Sequence, residues 1–289
     1  MPDVTGYRAR LGRFGVWRST RDERTRAIGP AVEAAGFGGL WLGGSPSADL
    51  AIVDTILDQT TSLIVATGVV NIWASDPETV AASYRRIAAR HPGRFILGIG
   101  AGHPESAGEA ARRPLDALNR YLDVLEASGV PRGDIALAAL GPRVLRLAAE
   151  RMAGAHPYLV TPEHTRRARE IIGGDALLAP EQRVVLDADP HRAREAGRKT
   201  VENSYLTMVN YRRNLLRLGY TAEELDGRGS DRLIDDLVVY GDDETVRRRL
   251  RAHVDAGADH VAVQIITQSE DLAGEIALLG RVLGLPTNR

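Results

Sequence analysis

A chain of 289 residues with 44% hydrophobic residues and a formal charge of −1 can bury one large core. It offers no basic surface for nucleic acid or an anionic membrane. The absence of cysteine excludes disulfides and thiolate chemistry. Residues 1–12 are polar and basic, without the apolar stretch of a signal peptide, and no apolar run approaches the ~20 residues of a membrane span. The expectation is therefore a cytoplasmic protein. Lys199 is the only lysine among 37 basic residues. The arginines are balanced by acids along the chain, so this bias reads as a high-GC genome and not as a binding surface.

In chain order, strand-like apolar runs alternate with amphipathic segments. Phe14–Trp17 is the first strand. A helix carrying Ile28, Val32 and Ala35 follows and stops at Gly36. Leu40–Leu42 is the second strand, Leu50–Gln59 a helix, and Leu63–Val70 the third strand. Asp76-Pro77-Glu78 opens the next helix with a cap, a proline at the first position and an acid at the positive end of the dipole. Phe95–Ile99 is strand four, Pro114–Ser128 a helix, Ile135–Leu140 strand five and Arg143–Met152 a helix. His156–Val160 is strand six, and Thr161-Pro162-Glu163 starts a helix that ends near Gly173. Arg183–Leu186 is strand seven, followed by a helix from Asp189-Pro190. Extra helices fill 199–240, with a capping box at Thr221 and Glu224. Glu244–Ala256 is the last long helix, and His260–Ile266 is strand eight. Eight strands with intervening helices predict a (β/α)8 TIM barrel over 1–289 with helical insertions. An open doubly wound sheet is the alternative.

A barrel of this kind carries its site at the C-terminal strand ends. Trp17, Arg18 and Trp73 fall there as substrate-pocket candidates. Gly98, Gly100 and Gly102 do not match a dinucleotide fingerprint, because the third glycine comes one position early. They read instead as a loop that a flat ring or a phosphate approaches closely. Thr161, Thr165 and His164 sit at a helix N-terminus, an anion site by its free N–H groups and dipole. His91, His191, His253 and His260 read as structural, whereas His103 and His156 lie nearer the active face. No histidine pair has metal-ligand spacing with carboxylates, and no nucleophile elbow occurs. The lack of an acid–base pair points to chemistry carried by a cofactor.

The run Ile64-Val65-Ala66-Thr67-Gly68-Val69-Val70-Asn71, the Asp76-Pro77 helix, the run from Pro92 to Gly100, and Gly241-Asp242-Asp243-Glu244 leading to Asp255–Val261 resemble luciferase-like monooxygenases. The segment Ala155–Thr165 is similar to the branch that uses the deazaflavin coenzyme F420. The resemblance implies a luciferase-like barrel holding a tricyclic ring against strand three, with a phosphate near the loops after strands four to six. Carried over by motif, Gly68, Val69 and Asn71 back the ring. Gly102, His103, Leu140, Gly141, Tyr158, Thr161 and His164 hold its edge or tail, with His103 as the proton donor. A non-prolyl cis peptide between Gly68 and Val69 is expected. Where the sugar-phosphate dehydrogenases of that branch carry an acid and a histidine after strand two, this chain has Gly43-Gly44-Ser45, which argues against that substrate. The implied activity is hydride transfer between F420 and a small organic molecule. The alternatives are an FMN-dependent monooxygenase using reduced flavin and dioxygen, and a flavin- or lipid-binding barrel without turnover. A small-molecule substrate, no nucleic-acid or membrane partner, no metal and an allowed homodimer complete the reading.

Overall fold

Apolar residues on both faces of a strand require cover on both sides, which parallel strands under crossover helices receive. The computed structural model describes residues 5–102, 113–202 and 205–287. Its strands are β1 (Phe14–Ser19), β2 (Gly39–Gly43), β3 (Ile64–Thr67), β4 (Val70–Asn71), β5 (Phe95–Gly100), β6 (Ile135–Leu137), β7 (Gly154–Ala155), β8 (Leu177–Leu178), β9 (Glu181–Val184), β10 (Val238–Val239) and β11 (Val261–Ile265). All pair in parallel, in the order β10-β9-β11-β1-β2-β3-β5-β6-β7-β8, with β4 extending β3 along β5. Residues 177–184 run through β8 and β9 and join the two ends of this order, which closes the (β/α)8 ring.

The helices outside the ring are α2 (Gly29–Ala34), α3 (Ala51–Asp58), α4 (Pro77–Arg90), α5 (Pro114–Ala127), α6 (Pro142–Arg151), α7 (Pro162–Ile172), α8 (Pro190–Val201), α11 (Asp243–Asp255) and α12 (Leu272–Leu283). Prolines and caps start them as the sequence indicates: Asp76, Thr161 and Asp189 each accept a backbone N–H of the first turn. No helix among the described residues is long and apolar enough to cross a membrane.

Strand alternation sorts the core into two shells. Val16, Leu40, Leu42, Val65, Leu97 and Val263 face the helices. Trp17, Trp41, Ile64, Ala66, Ile96, Ala136 and Ala262 face the barrel interior. An N-terminal helix, α1 (Thr5–Leu11), closes the bottom of that interior with Tyr7 and Leu11. A third cluster, built from Leu206, Tyr211, Leu215, Leu225, Leu233 and Leu237, holds α9 (Val209–Leu218) and α10 (Asp231–Leu237) in the 199–240 region.

Four strand assignments shift, the first being strand three, which breaks at Gly68–Val69 into β3 and β4. Strand five ends at Leu137, not Leu140. Strand six is Gly154–Ala155, and 156–160 is loop, because Pro157 has no N–H to donate and Leu159 takes a positive φ of 53°. Strand seven begins at Leu177, with Pro180 interrupting it before Glu181. Gly98 and Gly100 belong to β5 and not to a ligand-binding loop. The close approach that Gly98 permits is made by the Thr67 carbonyl, which would lie 1.8 Å from a Cβ there. The Thr221–Glu224 box forms reciprocally, at 2.9 and 3.3 Å, but opens only a 3-10 turn.

A candidate active site at the barrel mouth

The C-terminal strand ends surround a cavity of about 750 Å³. Its floor is built from the inward-facing residues of the ring. Trp41 fills the barrel centre with no exposed surface, and the His156 imidazole stacks on it at 4.2 Å between centroids. Above them the Trp17 indole lies across Gly43, where a Cβ would fall 1.8 Å from the ring. Beside it Gly68 faces Trp17 Nε1 and His156 Nε2, which would be 3.1 and 2.9 Å from a Cβ. The Gly68–Val69 peptide is cis, as the resemblance implies.

The floor has a defined protonation state. His156 Nδ1 donates to the Ala179 carbonyl at 2.6 Å, so Nε2 carries the lone pair. Burial pulls this histidine down to about 4, leaving it neutral at pH 7. Among the described residues neither His156 Nε2 nor Trp17 Nε1 has a hydrogen-bond partner.

One wall comes from strand three and its neighbours: Gly68, Val69, Asn71, Trp73, Ala101 and Gly102. Asn71 Oδ1 accepts the Trp73 N–H at 3.0 Å, and Trp73 Nε1 donates to the Ala101 carbonyl at 2.6 Å, which fixes that indole. The opposite wall is aromatic, with Tyr158, Tyr205 and Tyr211. The Tyr158 hydroxyl donates to Gln264 Oε1 at 2.8 Å and accepts from Arg183 Nη2 at 3.1 Å. Ser19, Arg21, Gly44 and Ser45 form the rim. Arg21 is the one charged side chain among the described lining residues, and no carboxylate or lysine is among them.

At the far end, Leu140 and Gly141 reach the N-terminus of α6. His164 Nε2 donates to the Leu140 carbonyl at 3.0 Å, while Nδ1 has no partner among the described residues. Arg217 approaches Gly141, its guanidinium nitrogens 3.9 and 4.0 Å from a Cβ position there. Burial, the Leu140 contact and the cations Arg217 and Arg167 set the His164 pKa, with a net lowering.

The structure thus brings Trp17, Gly68, Val69, Asn71, Trp73, Gly102, Leu140, Gly141 and Tyr158 to one cavity. Thr161 and His164 are buried one layer behind it, where the Thr161 hydroxyl caps its own helix by accepting the His164 N–H at 3.4 Å. Arg18 does not reach the cavity. Its side chain turns to the Asp22 carboxylate and to the Ile265 carbonyl at 3.4 Å. His103 lies outside the described residues. His156, which the sequence places nearer the active face, lies just after β7 and forms part of the cavity floor. Leu118, Tyr205, Met208, Asn210 and Arg217 carried no signal in the sequence of a place at this site.

This barrel, with its cavity at the C-terminal mouth, has the fold of the luciferase-like (β/α)8 barrels. Residues 11–128 match the family model of the luciferase-like monooxygenases. No curated protein matches the chain in sequence. Solved structures share the fold at low identity. An F420-dependent secondary alcohol dehydrogenase, solved with an F420–acetone adduct, is 14% identical with a TM-score of 0.72, over 95% of this chain and 98% of that one. The coenzyme F420-dependent tetrahydromethanopterin reductase of Methanopyrus kandleri is 17% identical with a TM-score of 0.73, over 96% and 99%. The oxygenating constituent of 3,6-diketocamphane monooxygenase from Pseudomonas putida, in complex with FMN, is 15% identical with a TM-score of 0.70, over 96% and 98%.

Proposed function

We propose that the protein is an F420-dependent oxidoreductase that transfers a hydride between the deazaflavin and a small, largely apolar organic substrate. The observation that carries this reading is the cavity. It has room for a tricyclic ring and a small partner, yet its described walls hold no carboxylate, lysine or nucleophile pair. The residues fit such a group. Gly68 and Val69 form a wall without a side chain at position 68, the tyrosines face it, and the cavity runs on to the N-terminus of α6 beside Arg217. When bound, the deazaflavin supplies the hydride chemistry. The protein's own residues orient the two partners and exclude water. Gly68, Val69 and Asn71 back the ring, and Gly102 and Tyr158 hold its edge. Leu140, Gly141, Thr161 and His164 shape the end that receives a phosphate-bearing tail, where helix N-termini favour negative charge. Trp17 and Trp73 bound the substrate space, and His103 is assigned as proton donor.

FMN in place of F420 is the second reading, supported by the FMN-bound structure of the same fold. Fluorescence-quench titration separates the two. Tighter binding of F420 than of FMN is expected, and comparable or tighter FMN binding moves the assignment to a monooxygenase. Turnover of an electron acceptor by the bound reduced cofactor excludes a barrel that only binds. Thr161→Asp is expected to weaken binding about tenfold, the size of a favourable helix-terminus charge effect turned against the ligand. Unchanged affinity in a folded variant removes this segment from the site.

A further inference from the structure

Behind the tyrosine wall lies an arginine that no part of the proposed reaction uses. Arg183 is 2% exposed, on the inward end of β9. Its guanidinium carbon sits 4.8 Å from the Tyr205 ring centroid and 5.4 Å from that of Tyr158. Both rings line the cavity. Its hydrogen bonds go to neutral groups: the Thr200 carbonyl and hydroxyl at 2.8 and 2.9 Å, and the Tyr158 hydroxyl at 3.1 Å. Its acidic neighbour among the described residues is Glu181, also fully buried, and the two face each other as an ion pair without a hydrogen bond. Nε and Oε1 stand 3.8 Å apart, and neither atom has a hydrogen-bond partner among the described residues. The other Glu181 oxygen accepts the Leu159 N–H at 2.9 Å.

A buried guanidinium with no hydrogen-bonded carboxylate keeps an incompletely compensated charge in a low-dielectric surrounding. Arg183 keeps its proton, since burial is outweighed by the tyrosines and Glu181 around it. Glu181 only partly cancels the cation, because its Oε1 stands 3.8 Å from Nε without a hydrogen bond and its other oxygen is committed to the Leu159 N–H; burial pushes its carboxyl up. The positive field therefore passes through two polarisable rings into the cavity. We propose that Arg183 is a positioning charge that makes the cavity prefer the reduced, more anionic form of a flavin or deazaflavin ring over the oxidised form, with Glu181 setting how much of that charge is felt. The inference rests on the cofactor reading above. A ring that accepts a hydride takes up two electrons and one proton, and so gains one negative charge unless a second proton follows. A fixed cation one ring-layer away favours that product.

The test is the midpoint potential of the bound cofactor, from equilibrium dye titration of the loaded protein, together with separate affinities for its oxidised and reduced forms. Arg183→Met is expected to lower the reduced-to-oxidised affinity ratio about tenfold, which for a two-electron couple is about 30 mV more negative. Arg183→Lys is expected to retain most of the wild-type value. Glu181→Gln, isosteric and neutral, is expected to move the ratio the other way. Packing damage would weaken both forms alike and would not give opposite signs in the two variants. If Arg183→Met does not fold, Glu181→Gln carries the test alone. Binding with an unchanged ratio in the variants, or shifts of the same sign in Arg183→Met and Glu181→Gln, overturns the proposal. Failure of the wild-type protein to bind F420 or FMN at all overturns the cofactor reading instead.

Discussion

Lowering the pH from 7 to 5 is expected to destabilise the fold steeply through histidines buried in neutral form. His253 is the clearest. It has no exposed surface, its Nε2 donates to Gln182 Oε1 at 2.7 Å, and its Nδ1 accepts from the Thr165 hydroxyl at 2.8 Å. It thereby ties α11 to α7 and β9. Burial pulls it down to about 3, and His156 and His260 to about 4. A histidine lowered in this way binds its proton more readily in the unfolded chain. Its contribution is complete above the unfolded value of about 6.5 and is lost as pH falls toward the folded value. Once the unfolded forms are protonated, each such group costs about 1.4 kcal/mol per pH unit. Glu181, held up at about 7, acts with the opposite sign down to its unfolded value and offsets one of the three. The net loss is about 3 kcal/mol per pH unit between pH 6 and 4.5. Other acids do not obscure it, because carboxylates in the unfolded chain titrate lower. Urea unfolding at pH 7, 6 and 5 measures it, and His253→Gln is expected to reduce the slope by about half. Stability that is flat from pH 6 to 5, or a slope unchanged in His253→Gln, would refute this account.

Gly43→Ala places a methyl group 1.8 Å from a Trp17 ring carbon. The indole must shift, at a cost of about 1–3 kcal/mol, read as a lower melting temperature with an altered near-ultraviolet dichroism band; an unchanged melt and band would show that the floor is looser than described. Asp22→Ala removes the carboxylate that Arg18 and Arg24 share and that the Arg24 contact holds at about 2. Among the described residues it leaves the 7%-exposed Arg18 with the Ile265 carbonyl at 3.4 Å as its remaining hydrogen-bond partner, a loss of about 3 kcal/mol in urea unfolding. A loss below about 0.5 kcal/mol, the level of an ordinary surface change, would show that Arg18 finds another partner.

The barrel was legible in the sequence because its determinants are local or periodic. Apolar runs such as Leu63–Val70 specify strands covered on both faces, and cap-proline starts such as Asp76-Pro77 and Thr161-Pro162 specify helix origins. Strand ends then name candidate residues, and Trp17, Gly68, Asn71, Trp73 and Tyr158 do line one cavity. Local pattern could not decide direction. Arg18 follows Trp17 on the same strand, but alternation sends it outward to Asp22, while Trp17 turns in over Gly43. Nor could it show that Gly98 is spaced for the Thr67 carbonyl of the next strand, that His156 rests on Trp41 115 positions away in the chain, or that Arg183 stands behind Tyr158 and Tyr205. Those relations join residues from separate strands and from the helices of the 199–240 region. Their contact energy exists only once the ring has closed, so no short stretch of sequence carries its signature.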